Sequence, residues 1–291
     1  SIMKVSILLY HKFKHMEYCS HNNIFLEYKL LKIKFRSVVM KVNKKASINI
    51  LILILVTIIS VVYSNESTST WSNQTKQLPI YSVKTDEKKI ALTFDVNWAE
   101  KEYIYDILDV LEEGNAKGTF FIMGGWVNYS DENREKLMKI SDGGNEIGNH
   151  SYIHPSFTKI SEERMSDEIK KTEDIIYAAT GQKTTLFRFP SGDYNDKAVE
   201  YVRSLGYECI QWNVDSIDYK EESAEVEYER IRKKSKEGSI ILFHNNAKYT
   251  PQNLKRFIQE LSDEGYEFVT ISELIYDGNY TINENGEQIL K

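Results

Sequence analysis

The sequence predicts an α/β fold, either a (β/α) barrel or a doubly wound sheet, and three observations predict it. About seven short apolar runs alternate with amphipathic stretches between Lys88 and Asp277. Glycines close several of those stretches, where a helix commonly ends in a left-handed residue. The chemically active side chains fall repeatedly at or just past an apolar run, where parallel α/β folds gather their sites.

Ile90–Phe94 reads as the first strand, followed by an amphipathic helix over about Ala99–Glu113 with Ile104, Ile107, Leu108 and Leu111 on one face, ended by Gly114. Gly118–Met123 reads as the second strand, with a helix near Glu132–Ile140 behind it, and Glu146–Gly148 as a short third. A long helix is expected from Ser161 to about Ala179, closed by Gly181. Leu186–Phe189 reads as the fourth strand, Asp196–Leu205 as a helix closed by Gly206, and Cys209–Val214 as the fifth strand. A helix near Ala224–Lys236 and a sixth strand, Gly238–Phe243, follow. Thr250 and Pro251 suit an N-cap and first helical residue, and Glu267–Thr270 reads as the seventh strand.

Ahead of this pattern, Ala46–Ser64 is uncharged and almost wholly apolar, about the length that crosses a bilayer, and Lys41, Lys44 and Lys45 precede it. It is expected to anchor the chain in the cell membrane with the folded domain outside. Secretion after signal cleavage is the alternative, although Val62-Tyr63-Ser64 matches a small-residue cleavage site poorly. Residues 1–45 are basic and aperiodic; because Met40 opens a signal-like run, residues 1–39 read as lying upstream of a native start. Residues 65–87 read as a polar linker, 88–278 as the folded domain and 279–291 as a polar tail.

The net charge of −6 hides an asymmetry: residues 1–47 carry 10 Lys/Arg and 2 Asp/Glu, so the remainder carries a net −14. Such a domain repels phosphates, which argues against nucleic acid as a partner. Cys19 and Cys209 flank the apolar segment, cannot pair in an anchored topology, and form no disulfide framework.

The chemistry centres on Gly148-Asn149-His150-Ser151-Tyr152-Ile153-His154-Pro155. Pro155 and the leading Gly-Asn favour a loop leaving a short strand over a helix. Two neutral imidazoles on such a loop suit zinc, although surface histidines could share the spacing. Of six histidines only His150, His154 and His244 follow residue 21, so an acid–base or metal site must draw on them. Asp95, Arg188, Asp215, Asp218 and His244 occupy equivalent strand-end positions, which predicts one site built from five βα loops.

Five ordered motifs over roughly Lys88–Asp277 resemble those of the polysaccharide deacetylase (NodB homology) domain, carbohydrate esterase family 4: Thr93-Phe94-Asp95, His150-Ser151-Tyr152-Ile153-His154-Pro155, Arg188-Phe189-Pro190-Ser191-Gly192, Asp215-Ser216-Ile217-Asp218-Tyr219 (tyrosine in place of the usual tryptophan) and Leu242-Phe243-His244. The resemblance implies a distorted (β/α) barrel of about seven strands and metal-assisted hydrolysis of N-acetyl groups on N-acetylated wall polysaccharide. It implies that His150 and His154 hold a divalent metal, expected to be Zn²⁺, with Asp95 as general base and His244 as the acid that protonates the leaving amine. Asp218 then orients His244, Arg188 pairs with Asp95, and the oxyanion lies against the metal and a backbone N–H of the Phe189–Gly192 turn or nearby loops. For Asp215 loop capping is the better reading.

One position departs from the family pattern. Where a second, metal-ligating aspartate usually follows the first, this chain has Val96, which cannot ligate. Thr93-Phe94-Asp95-Val96-Asn97-Trp98 is similar to a sporulation-associated subgroup acting on spore or cell-wall peptidoglycan. A glycan-binding scaffold that lost its metal chemistry is the alternative, as is a hydrolase of another amide. Tyr152, Phe157, Phe189, Tyr194, Trp98 and Trp212 lie in or beside the motif loops and are candidates for sugar stacking, with packing the better reading for Trp212.

Overall fold

A computed structural model describes residues 48–57 and 76–291. The chain divides into two units, residues 1–74 and 75–291. In the first, residues 48–57 are helical. They are the described part of the apolar run expected to anchor the chain; its remainder, with residues 1–45 and 65–75, lies outside the described residues. Among the described residues no helix is long and apolar enough to cross a membrane.

The second unit alternates strands and helices in the order β1 (Ser82–Val83), β2 (Lys89–Val96), α1 (Ile104–Glu113), β3 (Gly118–Ile122), α2 (Gly124–Val127), α3 (Asp131–Asp142), β4 (Glu146–Asn149), α4 (Glu162–Thr180) and β5 (Leu186–Phe187). A 3₁₀ turn at Pro190–Gly192 leads to α5 (Asp196–Ser204), β6 (Glu208–Cys209), β7 (Val214–Asp215), α6 (Ala224–Lys234), β8 (Ile240–His244), α7 (Thr250–Asp263), β9 (Glu267–Phe268), α8 (Ile271–Leu274), β10 (Tyr280–Ile282) and β11 (Glu287–Leu290).

The main sheet runs β6-β5-β4-β3-β2-β8-β7 with every ladder parallel, and β9 pairs with the start of β2. Taken as a ring, the strands follow chain order, with β2 laddered to β8. One seam is left, between β6 and β7. Cys209 and Val214 are five residues apart, so these two edges stand within about 17 Å and the sheet must curl. The architecture is therefore a barrel with an open seam, as the resemblance implied, and the doubly wound alternative is set aside.

The seam corrects the expected fifth strand: Cys209–Val214 is not one strand but the ends of two. Between them Ile210 bridges to Ile80, Gln211 N–H donates to the Ile80 carbonyl (2.7 Å), and the Gln211 carbonyl turns inward to Arg188. Residues expected to be linker thus close the gap, because Ile80 and Val83 are fully buried apolar side chains. The expected polar tail is also structured: β10 and β11 form an antiparallel hairpin, with β1 parallel to β11. Its polar composition hid one buried anchor, Gln288, whose amide both accepts from Tyr276 N–H (2.8 Å) and donates to the Tyr276 carbonyl (2.9 Å).

Strand alternation sorts the central side chains. Leu92, Phe94 and Val96 pack outward with Phe120, Ile122 and Phe243 beneath α1 and α7, while Ala91 and Phe121 belong to a separate inner cluster. On the inner face Asp95 is in register with Phe121 on β3 and His244 on β8. Phe121 in turn faces Gly148, where an added Cβ would stand 2.5 Å from the phenyl ring. Gly148→Ala is expected to cost about 1–3 kcal/mol through that overlap, two residues before His150, as read by urea unfolding. Unchanged stability would show that Phe121 has room to move.

Candidate active site

Asp95 ends the inner face of β2, and its side chain is almost fully buried. Arg188, wholly buried just past β5, donates from Nη1 to Asp95 Oδ1 (2.9 Å) and from Nη2 to the Gln211 carbonyl (3.1 Å). Its guanidinium lies over Phe121, 4.0 Å from the ring centroid. Burial alone would raise the Asp95 carboxyl, but His150, Arg188 and His244 together hold it below the usual carboxylate range. The second oxygen, Oδ2, stands 3.5 Å from His150 Nε2.

The histidine loop is held from two sides. Glu168, buried on α4, accepts the N–H groups of Tyr152 and Ile153 through one oxygen (both 2.8 Å) and pairs through the other with Arg164. From the opposite side, Gly124 and Gly125 at the start of α2 donate to the carbonyls of Ser151 (3.0 Å) and Tyr152 (2.8 Å). A Cβ on Gly125 would meet that Tyr152 carbonyl at 2.7 Å, so the close approach requires glycine. Ser151 and His154 take left-handed conformations (φ 66° and 59°), which brings the two imidazoles together with ring centroids 4.9 Å apart.

His150 Nδ1 lies 2.9 Å from the Arg188 carbonyl, which can only accept, so Nδ1 carries the proton and Nε2 the lone pair. That Nε2 is buried without a hydrogen-bond partner. Burial pushes the His150 pKa down to about 4 and lowers that of His154 as well, so both rings are neutral near pH 7. An orphaned, deprotonated, buried nitrogen beside a second neutral imidazole suits a divalent cation. The donor set stops at two, however: among the described residues no group of three or more His, Cys, Asp or Glu is placed to hold a metal.

Position 96 cannot complete it. Val96 is fully buried on the outward face of β2, among Ile104, Ile122 and Trp126, opposite in direction to Asp95. Val96→Asp is therefore expected to destabilise the domain by about 3 kcal/mol or more without raising zinc affinity, read by urea unfolding and zinc titration. Tighter zinc binding at unchanged stability would contradict this placement.

His244, the last residue of β8, completes the cluster. Its Nδ1 donates to Asp218 Oδ1 (2.7 Å) and its backbone N–H to Asp218 Oδ2 (2.9 Å). Burial works against a charged ring, yet Asp218 outweighs it and His244 titrates above the ordinary imidazole value. Tyr219 presents its ring edge-on to His244, with centroids 5.7 Å apart. Asp215 caps its own turn, accepting from Ile217 N–H (2.8 Å).

The structure thus brings Asp95, His150, His154, Arg188, Asp218 and His244 into one cluster. Several placements differ from expectation. Asp95, Asp215 and His244 lie within their strands, not after them, Arg188 falls just past its strand, not within it, and Thr250 is the first helical residue, not the cap, its hydroxyl donating to Asp218 Oδ2 (2.8 Å). Of the proposed stacking aromatics, Phe157 and Phe189 are wholly buried against Phe187, and Tyr194 is tied to Tyr81 by a hydroxyl–hydroxyl bond (2.8 Å). Glu168 escaped the sequence reading, yet it left a signal: it is the one carboxylate in the buried helical stripe Met165, Glu168, Ile169, Thr172, Ile176.

Known proteins are similar to this chain in sequence and fold. The profile of the polysaccharide deacetylase family matches residues 82–210. The Bacillus subtilis (strain 168) peptidoglycan-N-acetylmuramic acid deacetylase PdaA is 31% identical over 201 residues, 68% of this chain and 75% of its own length. The same organism's YlxY is 32% identical over 214 residues, and this chain spans 66% of it. Among solved structures, Bacillus anthracis BA3943, described as a CE4 family pseudoenzyme, superposes with a TM-score of 0.63 at 35% identity, covering 68% of this chain and 69% of that one. A mutant of BA3943 is described as having restored enzymatic activity. With the relatives and the barrel in agreement, the chain belongs to the polysaccharide deacetylase family of amide-bond hydrolases.

Proposed function

We propose that this protein hydrolyses N-acetyl groups from amino sugars of cell-wall or spore polysaccharide of the peptidoglycan type, releasing acetate. The observation that carries the reading is the pairing of opposite acid–base environments at adjacent strand ends: Asp95, bonded to Arg188, is shifted toward its ionised form, and His244, bonded to Asp218, toward its protonated form.

Asp95 Oδ2, the oxygen not taken by Arg188, accepts the proton of the attacking water. His244 delivers a proton to the departing amine, which is too basic to leave as an anion. Arg188 fixes Asp95, and Asp218 fixes the ring of His244. Gly192 N–H is spent on the Phe189 carbonyl (2.9 Å), so the backbone donor to the oxyanion is another N–H of that turn or of the nearby loops. His150 and His154 would hold a divalent metal, taken as Zn²⁺, which when bound would supply Lewis-acid polarisation of the acyl carbonyl and a lowered pKa for water in the site. The apolar run Ala46–Ser64 supports placement at the outer face of the cell membrane, with secretion after cleavage as the alternative.

A second reading, a glycan-binding scaffold, draws on the two-ligand donor set and on the likeness to BA3943. Against it stand both intact acid–base pairs, for which a binding module has no use. Acetate release from peptidoglycan and chitooligosaccharides, with added zinc and with chelator, separates the two. Chelator-sensitive release is expected; glycan binding without release from either substrate would favour the scaffold.

A further inference from the structure

Among the described residues, five aromatic side chains are more than 40% exposed: Trp98, Tyr105, Tyr129, Tyr177 and Tyr219. Trp98, Tyr105 and Tyr129 come from three places (the loop after β2, helix α1 and the turn after α2) yet line one cleft of about 1030 Å³. Its floor is fixed. Trp126 is fully buried there and donates to Glu102 (2.5 Å), whose carboxylate also holds Lys136 (2.7 Å) and Asn245 (2.8 Å). Only Gly125 separates the Trp98 edge of the cleft from the loop that carries the histidines. A Cβ on Gly125 would fall 2.9 Å from the Trp98 ring on one side and 2.7 Å from the Tyr152 carbonyl on the other.

We propose that this cleft is a subsite for uncharged N-acetylhexosamine residues of the glycan strand, beside the sugar that reacts; the proposal rests on the deacetylase reading. Exposed rings on a rigid floor suit the C–H faces of pyranose sugars, which stack on aromatic surfaces at little entropic cost. The rim adds Glu100, Asp106 and Glu132 as hydroxyl acceptors. Of the lining lysines, Lys136 is committed to Glu102 and Glu132 and Lys101 lies over Tyr103, so the carboxylates dominate and disfavour an anionic sugar within this cleft.

The test compares the GlcNAc hexamer with the GlcNAc dimer, in kcat/KM for acetate release and in quenching of tryptophan fluorescence. The wild-type protein is expected to prefer the hexamer by about tenfold or more, and the double variant Tyr105→Ala/Tyr129→Ala to lose most of that preference. A wild-type protein indifferent to length, or a double variant keeping the full preference, overturns the subsite. If no acetate is released from any glycan, the deacetylase reading fails by itself and quenching decides the cleft. Hexamer quenching abolished in the double variant sustains the subsite, and absence of hexamer binding to the wild-type protein overturns it.

Discussion

His150→Ala is expected to abolish zinc uptake and to lower acetate release by about a thousandfold or more. The magnitude follows from the several kcal/mol that a Lewis acid supplies to an acyl transition state, at about 1.36 kcal/mol per factor of ten. The substitution removes a ring whose Nδ1 is tied to the Arg188 carbonyl and whose Nε2 is buried without a partner, so it acts first on the metal and second on packing. Because His150 is fully buried, His154→Ala serves as the control: its ring is partly exposed, and its loss should spare folding while still removing zinc. Bound zinc after dialysis, acetate release and urea unfolding check these outcomes together. Full zinc occupancy in both variants would place the metal elsewhere.

Asp218→Asn is expected to lower acetate release by about 10²–10⁴-fold and to move the alkaline limb of the pH profile to lower pH. The sign follows from His244, whose pKa in the folded protein is raised because Asp218 outweighs its burial. The acid form therefore persists above the ordinary imidazole value, and activity falls as pH rises through the raised pKa. Without the carboxylate the ring deprotonates earlier. The same linkage makes this pair's stabilising contribution full below the unfolded pKa of about 6.5 and lost as pH rises through the folded value. Thr250→Val removes only one of the bonds to Asp218 and should leave the limb nearly in place. A pH profile unmoved in Asp218→Asn would show that another group donates the proton.

Much of this architecture is legible in the sequence because parallel strands buried on both faces read as apolar runs. Lys89–Val96, Gly118–Ile122 and Ile240–His244 stand out for that reason. The convergence of Asp95 and His244 follows from the same regularity, since both end neighbouring strands in register. What escaped is set by long-range contacts. Cys209–Val214 is apolar enough for one strand, but the seam opens within it because Ile80 inserts there. The helix expected from Ala99 starts only at Ile104, since Glu102 is held by Trp126, Lys136 and Asn245. Val96 matches a ligand position by motif alone; the outward face of β2 makes it core. Gln288 and Glu168 are polar by type and buried by partner, and only the latter interrupts an apolar period.

The central claim is that two histidines, with no carboxylate from position 96, suffice to run the chemistry. Titrating zinc into chelator-stripped protein while following acetate release from GlcNAc oligomers tests it most directly. The account predicts no release from stripped protein and a rise that saturates at one zinc per chain. Full release from stripped protein, or none at any zinc concentration, would contradict it.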